Sequence, residues 1–152
     1  MNEVTIKTLN ALLKIEHTAA NLYATQGNCA AFAGYSKLAE KLKAESEEER
    51  GHVAKLTERI LQLGGAPVVE FYLIAATEDV QLMLEHGMEL ETQAKEAYNE
   101  AISGLLRGTV DHGTRIILDE IQRDTEGHIL WLMQQQTLIE RLGLQNYLAT
   151  LI

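Results

Sequence analysis

The sequence predicts an all-α protein: four long helices in a bundle, a long connection in the middle and a short fifth helix at the end. Apolar residues recur at helical spacing along almost all of the 152 residues, and the chain has a single proline, Pro67. Aromatic residues make up only 5% of the chain, whereas sheet proteins favour aromatic and β-branched residues. The length suits one domain that covers residues 1–152.

The first two helices are predicted by apolar stripes and by the glycines that follow them. We expect the first over about residues 5–32, ended by Gly34, and the second over about residues 36–63. Gly64 and Gly65 followed by Pro67 form a strong helix-stop signal. Residues 66–77 lack a helical pattern, so they predict a long, extended crossover.

The third and fourth helices are expected over about residues 78–106 and 111–142, and the fifth over about 144–152, after Gly143. Two hairpins joined by one long crossover predict an antiparallel four-helix bundle of the ferritin-like type, spanning about residues 5–142. The tail residues Leu148, Leu151 and Ile152 are expected to stay outside this bundle. Exposed apolar surface of this kind usually meets another subunit, which predicts an oligomer.

Charge and composition exclude several classes of function. The net charge of −9 argues against nucleic-acid and anionic-membrane partners and is compatible with the attraction of cations. The lone Cys29 excludes a disulfide scaffold and a thiolate zinc cluster, and it is typical of the reducing cytoplasm. No apolar run approaches the ~18 residues of a membrane span, so no membrane association is expected.

Carboxylates and histidines interrupt the apolar stripes of all four long helices. These residues are Glu16, Glu49, His52, Glu91 and His128. A buried carboxylate without a partner is costly, so a bound metal is the expected compensation. Glu49 and His52 form a Glu-x-x-His pair, the ligand unit of di-iron bundle proteins. Carboxylates and imidazole without thiolate suit iron or manganese better than zinc.

Other polar residues lie on or near these stripes or outside them. Asp124 lies on the fourth stripe, four residues before His128, and is a candidate further ligand. Glu45 belongs to an acidic run, so we expect it on a solvated or cavity-facing surface rather than at the metal. Tyr23 is either core packing or a redox-active neighbour of the site. We expect His17, His86 and His112 at the surface and Trp131 in the core.

A glycine immediately precedes each of the two inward histidines: Gly51 before His52 and Gly127 before His128. A glycine within a helix costs ~1 kcal/mol relative to alanine. Its repetition at equivalent places therefore predicts that another part of the structure approaches both helices closely.

Four segments together resemble bacterioferritin: LNALLKIE at 9–16, ERIL at 58–61 with GGAP at 64–67, EGHILWL at 126–132 and GLQNYL at 143–148. The resemblance covers essentially the whole chain. It implies a hollow iron-storage shell of 24 subunits, with a di-iron ferroxidase centre inside each bundle and ferric mineral in the cavity. It also implies haem held between subunits by methionines.

The resemblance assigns a role to each candidate residue. It implies that Glu16 and His52 bind one iron, that Glu91 and His128 bind the other, and that Glu49 bridges the two. Tyr23 matches the tyrosine beside the centre, which makes it the candidate catalytic residue.

Two departures from the family pattern bear on function. Thr125 occupies the position of the second bridging glutamate, which predicts impaired ferroxidase activity unless Asp124, one methylene shorter than glutamate, substitutes. Arg50 occupies the position of the haem methionine, and a protonated guanidinium cannot bind iron, so we expect no haem through this subunit.

Two functions follow from these departures. The leading hypothesis is an iron-storage subunit that oxidises Fe²⁺ at a partly degraded site holding one or two irons. The alternative is a mainly structural subunit of a mixed shell, in which a companion bacterioferritin subunit supplies the ferroxidase and haem sites. A metal-free bundle is disfavoured by the clustered inward carboxylates.

Overall fold

The structure, a computed structural model, describes residues 2–108 and 111–152. Five helices make up this part of the chain: α1 Asn2–Phe32, α2 Ser36–Gln62, α3 Val80–Gly108, α4 His112–Leu142 and α5 Leu144–Ala149. The prediction of an all-α bundle with a fifth short helix is confirmed. Within the described residues, no helix combines the length and the apolarity needed to cross a bilayer.

The four long helices pair as two hairpins, α1 with α2 and α3 with α4, and the pairs then pack against each other. Gly34 and Gly64 end α1 and α2 with φ angles of 95° and 80°, a left-handed conformation that glycine adopts without steric cost. Fully buried leucines and isoleucines fill the space between the helices, among them Leu13, Leu56 and Ile60. This core encloses the polar site described below.

The crossover between α2 and α3 is extended, as predicted, and runs along α1. Its backbone is anchored at two points: the Val68 amide donates to Asn10 Oδ1 over 2.9 Å, and the Tyr72 amide donates to Thr18 Oγ1 over 2.9 Å. Because these bonds satisfy backbone donors that have no sheet partner, the segment can stay extended against the helix.

The C-terminal segment corrects one prediction. Leu151 is buried, and its carbonyl accepts a hydrogen bond from the Lys37 amide over 2.9 Å. Tyr147 is also buried, and its hydroxyl donates to Gln135 Oε1 over 2.9 Å. The expectation that the tail lies outside the bundle was therefore wrong for Leu151, because α5 folds back onto its own subunit. Ile152 alone remains largely exposed, at 66%.

Among the described residues of the subunit, nothing makes the close approach expected at the two glycines. Gly51 and Gly127 are exposed, and a Cβ atom built on either would meet no atom of the described residues within 4 Å. Nothing in this part of the subunit approaches α2 or α4 closely at these two positions.

Candidate metal centre

The structure brings together the five inward polar residues singled out from the sequence. Each is almost fully buried: Glu16, Glu49, His52 and Glu91 are 2% exposed and His128 is 6% exposed. They reach the centre of the bundle from all four long helices because each replaces an apolar residue on its helix's inward stripe. Three carboxylates and two imidazoles thus share one interior region.

The carboxylate of Glu49 lies between the two histidine rings. Its Oε2 is 3.0 Å from Nδ1 of His52, and its Oε1 is 3.0 Å from Nδ1 of His128. Glu16 lies beside His52, with Oε2 3.5 Å from Nδ1, and Glu91 lies beside His128, with Oε1 3.1 Å from Nδ1. Each half of the centre therefore presents a Glu–Glu–His triad whose ligand atoms lie within 4.8 Å of one another, and Glu49 belongs to both triads.

The carboxylates strongly favour positive charge at this centre. Burial alone would lower the pKa of His52, but hydrogen bonds with Glu16 and Glu49 outweigh it and raise that pKa to about 11. The carboxylates around His128 likewise outweigh burial and raise its pKa. Burial and the neighbouring charge of Glu16 raise the pKa of Glu49. The centre therefore retains protons at neutral pH, and a metal cation would have to displace them.

The outward nitrogen of each histidine ring faces further carboxylates. Asp124 Oδ2 is 2.9 Å from Nε2 of His52, and Glu48 Oε2 is 3.1 Å from Nε2 of His128. The contact of Asp124 with His52 is a hydrogen bond, and metal-binding histidines typically donate their second ring N–H to a carboxylate in this way, which fixes the ring orientation. Asp124 is thus on the opposite side of the ring from Glu49, not at the position of a second bridge.

Glu45 corrects a further prediction. It is only 5% exposed, and its Oε2 lies 2.8 Å from Nε2 of His128. The expected solvated or cavity-facing position was wrong, because Glu45 lies two helical turns before His52 on the same inward stripe of α2. The two atoms lie off the line of a hydrogen bond, and neither has a hydrogen-bond partner among the described residues.

Two buried tyrosines hold the outer carboxylates of the centre. Tyr23 donates its hydroxyl to Glu91 Oε1 over 2.7 Å, and Tyr98 donates to Glu16 Oε1 over 2.6 Å. Burial and the adjacent carboxylates raise the pKa of both phenols well above 10, so both remain protonated donors. The sequence analysis did not single out Tyr98 as a site residue. The signal that could have found it is the spacing, because Tyr98 follows Glu91 by the same seven residues that separate Tyr23 from Glu16.

Neither Thr125 nor Arg50 belongs to a group of potential metal ligands among the described residues. These are the two residues that depart from the family pattern. Thr125 is 2% exposed, and its hydroxyl donates to the Ile121 carbonyl one turn back in α4 over 2.9 Å. Arg50 is exposed, and its Nε lies 3.4 Å from Glu47 Oε1 on the same helix.

The other three histidines, at 17, 86 and 112, belong to none of the groups of potential metal ligands among the described residues. Trp131 is half-buried and packs against the core, as expected, with the Lys41 ammonium over its ring. His112 is exposed as predicted, whereas His17 and His86 are half-buried rather than fully at the surface.

Comparison with known proteins shows the family to which the chain belongs. The family model described as "Ferritin-like domain" matches residues 6–142. A "Bacterial ferritin" of Pseudomonas aeruginosa is 38% identical over 148 residues, which are 97% of this chain and 96% of the relative. A "Bacterioferritin" of Streptomyces coelicolor is 34% identical, over 97% of this chain and 88% of the relative. A "Bacterial ferritin" of Neisseria meningitidis serogroup B is 33% identical, over 96% and 95% of the two chains. The chain belongs to the ferritin-like family.

Proposed function

We propose that this chain is a bacterioferritin-like iron-storage subunit, which binds and oxidises Fe²⁺ inside its helical bundle and stores ferric mineral in a hollow shell of 24 subunits. The position of Glu49 carries this proposal: its two oxygens each lie 3.0 Å from a different histidine Nδ1. A carboxylate shared in this way is suited to bridging two metal ions.

The ligand types favour iron as the substrate of the site. Glu16 and His52 would hold one Fe²⁺ and Glu91 and His128 the other, while Glu49 touches both. Oxygen and imidazole donors without thiolate suit Fe²⁺ and Mn²⁺. In the oxidation, each Fe²⁺ gives one electron to O₂ or peroxide and becomes Fe³⁺. The residues of the protein are not consumed. In this reaction Tyr23 holds Glu91 in place through its hydroxyl.

The carboxylates that face the histidine Nε2 atoms affect how far the loss of a bridging glutamate at Thr125 weakens metal binding. Glu16, Glu49 and Glu91 alone leave one positive charge of two Fe²⁺ uncompensated, and burial makes such a charge costly. Glu45, Glu48 and Asp124 add negative charge at the histidine Nε2 atoms. We therefore expect two Fe²⁺ to bind, but with only one bridging carboxylate to fix their separation, so oxidation is slow.

A specific observation also supports the alternative, a mainly structural subunit in a mixed shell with a companion bacterioferritin subunit. Thr125 offers a hydroxyl already bonded to Ile121, and Arg50 stands where the family places the haem methionine. A companion subunit with glutamate and methionine at these positions would supply the ferroxidase and haem functions.

An anaerobic Fe²⁺ titration followed by mixing with O₂ in a stopped-flow spectrometer separates the two proposals. We expect the purified chain to bind two Fe²⁺ and to oxidise them faster than buffer. Thr125→Glu should accelerate oxidation by roughly ten- to a hundredfold, since it restores the second bridging carboxylate. His52→Ala should lose at least one Fe²⁺, whereas His112→Ala, which alters an exposed histidine, serves as the matched control.

Two outcomes would count against iron oxidation by this chain alone. If the wild-type chain oxidises Fe²⁺ no faster than buffer while Thr125→Glu does, the structural role in a mixed shell is favoured. If His52→Ala binds as much Fe²⁺ as the wild type, the buried carboxylate–histidine cluster is not the iron site.

A further inference from the structure

The two hairpins of the bundle carry matching polar residues at matching spacings. In both halves the histidine is preceded by an acidic residue four positions earlier, and a tyrosine follows the first glutamate by seven positions. The matched pairs are Glu16 with Glu91, Tyr23 with Tyr98, Glu48 with Asp124, Glu49 with Thr125, and His52 with His128. Glu49 and Thr125 are the only pair in which the side chains differ in charge type.

The contacts of these residues cross from one half to the other. Tyr23 of α1 donates to Glu91 of α3, and Tyr98 of α3 donates to Glu16 of α1, at 2.7 and 2.6 Å. The outward nitrogens follow the same rule, since Asp124 of α4 faces the His52 ring of α2. Each half of the centre is therefore supported by side chains from the opposite hairpin.

We propose that Tyr98 is a positioning residue that holds Glu16 as a one-oxygen ligand for the metal beside His52. Its hydroxyl occupies Oε1 of Glu16, which leaves Oε2 facing Nδ1 of His52 at 3.5 Å. This role depends on the metal binding proposed above and goes beyond it, because it assigns the Glu16 half-site its own anchor.

Burial makes this anchor effective. Tyr98 is 0% exposed and Glu16 is 2% exposed, so bulk water does not reach them to replace their hydrogen bond. Rotation of Glu16 away from Tyr98 would therefore leave a buried polar group without a partner, which is costly. A rotation of Glu16 that brought both oxygens to the metal would break the hydrogen bond to Tyr98. Thr125 supplies no second bridging carboxylate that would help to fix the metals. The orientation of Glu16 and Glu91 therefore depends more strongly on their hydrogen bonds to the two tyrosines.

Cobalt(II) is a suitable probe, because the visible absorption of bound Co²⁺ reports the number and arrangement of its ligands. A His128→Ala background removes both groups of potential ligands that contain His128, and it keeps the buried triad of Glu16, Glu49 and His52. The more exposed group of Glu48, His52 and Asp124 also remains, but the Tyr98 hydroxyl bonds to Glu16, which belongs only to the buried triad. Tyr98→Phe in this background keeps the ring and removes the hydroxyl. We expect it to weaken Co²⁺ binding by about tenfold, the lower end of the range for residues that orient metal ligands, and to shift the visible spectrum.

The matched control is Tyr147→Phe, which removes another buried tyrosine hydroxyl, one bonded to Gln135 rather than to a candidate metal ligand. It should change neither the affinity nor the spectrum of bound Co²⁺. The mirror experiment, Tyr23→Phe in a His52→Ala background, should weaken Co²⁺ binding to the triad of Glu49, Glu91 and His128 in the same way. The unfolding midpoint of each variant without metal shows whether the fold is retained, and Tyr98→Met replaces Tyr98→Phe if it is not.

Unchanged Co²⁺ affinity and spectrum in Tyr98→Phe would overturn the positioning role, as would an equal loss in Tyr147→Phe. Failure of the proposed iron site looks different. In that case the wild type and His52→Ala would bind Co²⁺ alike, and both the site and the role of Tyr98 would be rejected.

Discussion

Asp124 meets His52 at the ring nitrogen that points away from Glu49: Oδ2 lies 2.9 Å from Nε2, whereas Nδ1 faces the buried carboxylates. The aspartate therefore holds the imidazole by its Nε2 atom, on the far side of the ring from the carboxylate of Glu49. Its side chain is 38% exposed, unlike the buried glutamates on the other side of the ring.

This relationship predicts a graded effect for Asp124→Asn. The amide can still accept a hydrogen bond from the ring, but it lacks the charge, so metal affinity should fall by roughly ten- to a hundredfold with an unchanged number of bound ions. Co²⁺ titration of both proteins measures this, with the exposed Asp119→Asn as the control. Loss of one of two bound ions in Asp124→Asn would instead mean that Asp124 is itself a ligand.

Metal binding should release protons from the two histidines. The pKa of His52 is raised to about 11 and that of His128 is raised too, so both rings carry protons at neutral pH and must lose one to bind a metal. Lowering the pH therefore opposes binding, by about tenfold per pH unit for each proton released. Titration calorimetry of Co²⁺ binding in buffers of different ionisation enthalpy counts these protons. A heat of binding independent of the buffer would contradict the prediction.

Much of this centre follows from helical periodicity, because spacing alone determines which side chains face inward. The five buried carboxylates and histidines were singled out on that basis, and the structure brings them together. Spacing does not determine which nitrogen of an imidazole faces a neighbour, since that depends on side-chain rotation. The sequence could therefore place Asp124 near His52 but could not tell an orienting partner from a bridge.

Two other errors have the same local origin. Glu45 lies in an acidic run that resembles a solvated surface, and only its register with His52 distinguishes it. The tail was treated as surplus apolar surface, but Gly143, at a φ of 76°, turns the chain so that α5 packs back on the bundle and buries Leu151.

That correction predicts different roles for two adjacent tail residues. Leu151→Ala should destabilise the subunit by about 2–5 kcal/mol, since it empties a buried site, whereas Ile152→Ala should change its stability by no more than about 0.5 kcal/mol. Thermal unfolding of both variants at one protein concentration makes the comparison. Equal losses would mean that another subunit buries Ile152 as fully as this subunit buries Leu151.

Asp111 predicts an acid-dependent loss of stability. Its Oδ1 caps α4 by accepting from the Thr114 amide, and it also accepts from Arg59 Nη2 over 2.7 Å. Burial would raise the pKa of Asp111, but hydrogen bonds from the Thr114 hydroxyl, the Arg59 guanidinium and the Thr114 amide lower it from 3.8 to about 2. A lowered pKa means that the stabilisation is complete above about pH 4 and is lost as the pH falls towards 2.

Asp111→Ala should therefore cost about 1 kcal/mol at pH 7, the usual value of a helix cap, and the difference from wild type should shrink near pH 2. Urea denaturation at both pH values measures it. Asp119→Ala, which removes a half-exposed partner of Arg115, is the control and should have little effect. A difference that persists at pH 2 would mean that the Asp111 carboxylate is not what stabilises this helix end.

The glycines before the two histidines predict a gain of stability on substitution. Gly51 and Gly127 are exposed helical positions where a Cβ meets nothing within 4 Å among the described residues, so alanine should stabilise each helix by about 0.5–1 kcal/mol. At Gly27 in α1 the new Cβ would lie 3.0 Å from Lys43 Cγ, so Gly27→Ala should gain less. Thermal unfolding of the three variants, with their assembly state followed by size-exclusion chromatography, tests this. If Gly51→Ala or Gly127→Ala dissociates the assembly, a second copy of the chain provides the close approach that the subunit alone does not, and the stability gain would not appear.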